Sequence, residues 1–124
     1  MTRAMASRTI IFGIVFWFLA AQFVHFFPQL FDRGWQQMAV YAAVIPLSWA
    51  SVPLALAIAR APKLLAVEIV AIGTAAAALF DGIAIAWAPH LYAGLSNMTQ
   101  MGAAMILWGV GWLLVFALWA KARG

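Results

Sequence analysis

The chain has 124 residues, of which 68% are apolar and only 8% charged, and its mean hydropathy of +1.02 is more than a water-soluble domain of this size can carry on its surface, which points to an integral membrane protein. The net charge of +4 comes without a basic run or a basic helix face, which argues against a nucleic-acid partner. Zero cysteines exclude disulfides, thiolate metal sites and a thiol nucleophile.

The first span is expected from Thr9 to Phe27, ended by Pro28. Arg3 and Arg8 ahead of it resemble the charged start of a signal peptide, but an apolar run of about 19 residues is longer than such a segment uses. Leu19-Ala20-Ala21 is also a poor cleavage site, so a retained helix is expected. The second span is expected from Gln37 to Ala59 and contains Pro46 and Pro53. Each proline frees a carbonyl that lipid cannot satisfy; Ser48, Ser51 or neighbouring helices are expected to take these carbonyls, with a bend in the helix. Pro62 punctuates the turn from Arg60 to Lys63. The third span is expected from Leu64 to Trp87, before Ala88-Pro89, and the fourth from Met101 to Ala120, after the polar segment Ser96 to Gln100. Connections this short predict antiparallel neighbours. The expected fold class is therefore all-α: an integral membrane four-helix bundle, up-down-up-down, as one domain over residues 1–124.

Of the seven Lys and Arg residues, Arg3, Arg8, Arg60, Lys63, Lys121 and Arg123 fall on one side of such a bundle and only Arg33 on the other. Cations are retained on the cytoplasmic face, so both termini are expected in the cytoplasm of a bacterium, with the chain crossing the inner membrane four times. The same cations suit anionic lipid headgroups. Trp35, Tyr41, Trp87 and Tyr92 are expected at the outer boundary and Trp119 at the inner one. Trp108, Trp112 and Trp119 share one helical stripe, read most plainly as packing or lipid contact and alternatively as the wall of a pigment or hydrophobic-ligand site.

Polar groups inside hydrocarbon carry the functional information. A charge at mid-bilayer costs about 2.5 to 3.5 kcal/mol even on the gentler scale, so each needs a partner, a neutral state or a purpose. Counting about 1.5 Å per residue from the inner edge puts His25 near 24 Å and Asp81 near 25 Å up their helices. Gln22 lies one turn below His25, and Asp32, Arg33 and His90 lie in the outer connections. The candidate ligand or proton site residues are therefore Asp81, His25, Gln22, Asp32 and Arg33, with His90 nearby, and Glu68 lower on the third helix. Gly73, Ala77 and Asp81 recur at intervals of four, so this face of the third helix is expected against another helix with Asp81 buried, where it either ionises beside a cation such as Arg33 or protonated His25 or stays protonated; His25 is its expected neighbour. Such a pair either pins two helices together or builds a ligand, ion or proton site. Glu68 starts about 6 Å into the third helix and is expected to reach back to Lys63 or Arg60. It faces away from Asp81, which argues against a direct relay. His25, His90 and Asp81, or Asp32, form a candidate metal set, and the two histidines a candidate haem pair. No nucleophile elbow of the form Gly-x-Ser-x-Gly occurs, so a non-enzymatic protein without a resident cofactor is expected.

Leu79-Phe80-Asp81-Gly82, then Trp87-Ala88-Pro89-His90-Leu91-Tyr92, then Gly102-Ala103-Ala104-Met105-Ile106-Leu107-Trp108-Gly109 resemble a family of bacterial four-span proteins known only as a domain of unknown function. The resemblance implies the four-span fold and makes Asp81 and Pro89 expected fixtures of the group; it implies no activity. Small multidrug exporters share the four-span layout, but their first helix carries an essential glutamate, and here only Gln22 and His25 are strongly polar. The expected function is that of a helix-packing or accessory protein in the lipid bilayer, associated with itself or with other membrane subunits and able to hold an apolar small molecule. The alternative is a small transporter or proton-coupled carrier using Asp81 and His25.

Overall fold

A computed structural model describes residues 1–31, 34–94 and 97–123, and the side chains of all of these except Asn97 and Met98. Four long helices carry the fold: α1 (Arg3–Phe26), α2 (Trp35–Ala59), α3 (Ala66–Trp87) and α4 (Asn97–Arg123). Single 3-10 turns at Pro28–Phe31, Lys63–Leu65 and Pro89–Leu91 join them, and the described residues contain no strand. All four helical segments are long and apolar enough to cross a membrane.

The helices overrun the expected spans where local chemistry allows. α1 begins six residues before Thr9, because Thr2 adopts an extended conformation and its hydroxyl accepts from the Met5 amide at 3.1 Å. α2 ends where Arg60 turns left-handed (φ 56°), so that the Ala61 amide returns to the Leu56 carbonyl at 3.0 Å. α2 runs through Pro46 and Pro53 as one helix. Ser51 does bond the helix backbone, but it donates to Leu47 at 2.7 Å, a carbonyl that neither proline frees.

Consecutive helices run in opposite directions. At the end carrying both termini, Arg8 Nη2 of α1 donates to the Ala59 carbonyl closing α2, at 3.1 Å. There too Lys121 near the end of α4 pairs with Glu68 near the start of α3, at 2.9 Å. Sequential helices are antiparallel neighbours, α1 with α2 and α3 with α4, but they do not make the most extensive contacts. α1 packs most extensively on α3, and α2 on α4, each pair parallel. Gly13 meets Gly73 and Trp17 meets Phe80 in the first pair; Gln37 meets Met101 and Tyr41 meets Trp108 in the second. Around the bundle the order is therefore α1, α2, α4, α3, and α2 faces α3 across the diagonal despite their short connection.

Two clusters fill the ends. Around the termini, Val52, Leu56, Ala59, Ala66, Ile69 and Ala117 are buried together. At the far end Ala21, Val24, Phe31, Val44, Ala84, Tyr92 and Met105 do the same. Elsewhere large apolar side chains face outward, among them Leu79 at 70% exposure and Leu107 at 72%, a surface suited to hydrocarbon and not to water.

The tightest helix contact is made by Gly13. A Cβ built there would lie 2.5 Å from the Gly73 carbonyl oxygen and 3.1 Å from the Gly73 Cα, so backbone touches backbone. A Cβ on Gly73 would meet the Thr9 methyl at 3.6 Å and the Thr9 carbonyl oxygen at 3.9 Å, both ordinary contacts. Gly73 does lie against another helix, as its spacing predicts, yet the position that demands glycine is its partner on α1. Gly13→Ala is accordingly expected to destabilise the detergent-solubilised protein by about 1–3 kcal/mol, the usual cost of overpacking, whereas Gly73→Ala changes it little. Equal thermal unfolding temperatures for the two variants would show that the helices are not in contact here.

Candidate functional site

The far end is organised by the segment that follows α3. Pro89 cannot continue the helix, and its carbonyl accepts from both the Tyr92 and Gly94 amides at 2.9 Å, which curls the chain. Gly94 takes a positive φ of 71°, a conformation glycine adopts without strain. Thr99 at the start of α4 then clamps the curl: its hydroxyl donates to the Gly94 carbonyl at 2.6 Å and accepts from the Ala93 amide at 3.0 Å. The result turns Tyr92 inward until none of it is exposed.

Inside the bundle the Tyr92 hydroxyl joins two helices. Trp17 Nε1 of α1 donates to it at 2.8 Å, and an indole N–H can only donate. The phenol's own proton therefore goes to Asp81 Oδ1 of α3. Burial, and then the bond to Asp81, hold the Tyr92 hydroxyl well above the ordinary phenol range, so it stays a neutral donor. At its other end Tyr92 presents a backbone carbonyl to His25 Nδ1, 2.8 Å away. Since a carbonyl only accepts, the His25 proton sits on Nδ1.

Directly below this network lies a cavity of about 640 Å³ between the two helix pairs. Its α1 wall is aromatic, with Phe12, Phe16, Trp17 and Phe23, while small residues such as Gly73, Ala77 and Gly109 make room opposite. The wall hydroxyls of Thr9, Ser51 and Thr74 each donate to a carbonyl of their own helix at 2.7 Å, which leaves the surface effectively apolar. Among the described residues Asp81 is the only ionisable side chain on the wall. Exposed residues, including Leu19 and Leu107, also line the cavity, so it reaches the outer surface of the bundle.

The structure redistributes the residues singled out in the sequence. Asp81 and His25 do sit at the same end, but they meet through opposite ends of Tyr92 and not as a direct pair. Tyr92, expected at the outer boundary, is a buried centre; nothing in its composition or spacing distinguished it from Trp87, which is 80% exposed. Trp17 joins the network unforeseen, because a tryptophan within an apolar run reads as packing. Gln22 is half-buried on α1 and has no part in the described bonds around Tyr92. Asp32 and Arg33 lie outside the described residues. His90 is exposed on its 3-10 turn, and among the described residues no three of His, Cys, Asp and Glu converge on a metal-sized space, so His25, His90 and Asp81 do not form a ligand set. Glu68 finds Lys121, not Lys63 or Arg60, since α4 ends beside the start of α3. The tryptophan stripe is part of an aromatic row: Trp108 is 5.7 Å from Trp112, which stacks on Phe116 at 5.5 Å. Comparisons with protein-family models, curated proteins and solved structures give no match to this chain.

The network makes a specific energetic prediction. Tyr92→Phe leaves both Asp81 and Trp17 Nε1 without a shared partner in a site shielded from water, at an expected cost of about 1–3 kcal/mol. Asp81→Asn and Trp17→Phe should be non-additive by about 0.5–3 kcal/mol in thermal or denaturant unfolding. That coupling should vanish once Tyr92 is Phe; persistence in the Tyr92→Phe background would mean that the phenol does not carry it.

Proposed function

We propose that this protein is an inner-membrane binding protein for an apolar small molecule, held between the α1/α3 and α2/α4 pairs with Asp81 as the polar anchor. The observation that carries the reading is the cavity of about 640 Å³, within the size range of small-molecule sites and mostly apolar, with a few hydroxyls and Asp81 as its one ionisable side chain among the described residues. Its connection to exposed wall residues supports loading from the bilayer. A carrier coupled through Asp81 and His25 has less to support it, since His25 bonds the far side of Tyr92 and does not line the cavity.

The neutral fluorophore N-phenyl-1-naphthylamine provides a direct test. Above a matched empty-micelle blank it should bind saturably, at one molecule per chain. Ala77→Phe, which places a ring in the cavity, should abolish that binding while leaving the helical content unchanged. Uptake that is linear with fluorophore and identical in both proteins would refute a defined site.

The proposed orientation places both termini in the cytoplasm. Its support is the gathering of Arg3, Arg8, Arg60, Lys63, Lys121 and Arg123 at one end of the bundle. The natural absence of cysteine makes single-cysteine labelling clean. In intact cells Gln36→Cys and His90→Cys should react with a membrane-impermeant maleimide, and Pro62→Cys only after lysis. The reverse pattern would invert the topology.

A further inference from the structure

Asp81 contributes the cavity's one ionisable group among the described residues, and its described partners are neutral: the Tyr92 phenol donates to Oδ1, with the Trp17 indole behind it. The described ion pair, Glu68 with Lys121, lies at the opposite end of the bundle. An ionised carboxylate within a span is costly without an opposite charge, and a cationic ligand would supply one here. On the same wall α1 presents Phe12, Phe16, Trp17 and Phe23, and aromatic rings attract cations in addition to packing against apolar groups. We infer that the ligand is a lipophilic organic cation, an ammonium- or phosphonium-like centre on an apolar body, with its charge beside Asp81 and its body along the α1 aromatics.

This assignment rests on the reading of the cavity as a ligand site and adds the charge of the occupant. A neutral occupant fills the volume but brings no countercharge to Asp81, whose described partners are neutral, and an anion is repelled by its ionised form. Because the wall reaches the exposed Leu19 and Leu107, the cation would load from the bilayer, where an apolar body concentrates it.

The test uses two ions of matched shape and opposite charge, tetraphenylphosphonium and tetraphenylborate, with the full-length protein in detergent. Each is titrated as a competitor of bound N-phenyl-1-naphthylamine, against empty micelles at the same concentration. The expected result is at least a tenfold preference for tetraphenylphosphonium, together with a thermal stabilisation that grows with its concentration. Read by the thermal shift that each ion produces, Asp81→Asn should lose the preference and Asp81→Glu should recover part of it. Equal competition by the two ions, or a preference that survives in Asp81→Asn, overturns the cation assignment and leaves the apolar site standing. If neither ion competes and the fluorophore itself does not bind, the site fails and the assignment with it. Should Asp81→Asn not fold, the comparison of the two ions on the unaltered protein and on Asp81→Glu decides alone.

Discussion

The Tyr92 hydroxyl is the group on which the far end of the bundle depends. In hydrocarbon, helices gain nothing from burying apolar surface against one another, so close packing and satisfied polar groups must hold them together. Here one phenol accepts from α1 through Trp17 and donates to α3 through Asp81. It can do so only because Pro89 ends α3, Gly94 turns the chain back and Thr99 of α4 closes the curl. A side chain from outside the spans thereby links α1 to α3, Thr99 ties its segment to α4, and His25, also on α1, bonds its backbone carbonyl. The indole N–H, the phenol and Asp81 Oδ1 each have a partner, which favours such a network in a low dielectric.

The opposite end solves the same problem with different chemistry. There Arg8 closes the last turn of α2, and the Glu68 and Lys121 charges meet where both can still reach the interface. Between the two ends the parallel α1/α3 pair is drawn together at Gly13, whose backbone sits on that of Gly73. The α2/α4 pair is joined by aromatic contact, Tyr41 on Trp108 with ring centres 5.5 Å apart. Between the two pairs a space remains open, lined from Thr9 and Ile69 near one end to Asp81 and Ile85 near the other.

Much of this was legible in the sequence and the reasons for the rest are physical. The four spans follow from apolar runs and Pro28, Pro62 and Pro89, because hydrocarbon thickness and proline's missing amide act locally. The shared depth of His25 and Asp81 follows from helix rise alone. Helix order did not follow, because a short connection constrains direction but does not forbid a diagonal; which pairs touch is decided by where backbones can approach, and Gly13 gives no sign in a single sequence that it faces Gly73. In the sequence Tyr92 looks like an interfacial aromatic, because its inward turn depends on Gly94 and Thr99 acting together, a tertiary effect with no local pattern. Sequence distance points Glu68 to nearby cations, whereas Lys121 arrives from the other end of the chain.

Close contact and open space are two results of one arrangement. Small residues at Gly73, Ala77, Ala103 and Gly109 surround the middle of the bundle, while Phe12, Leu113, Phe31 and Tyr92 hold the ends apart by their bulk. The space of about 640 Å³ opens on exposed wall residues, so in a bilayer acyl chains could enter it where nothing better is present. An acyl chain meets the apolar wall but leaves Asp81 facing hydrocarbon. An occupant with an apolar body and a complementary polar end meets both demands, so the carboxylate ranks the occupants that the cavity admits.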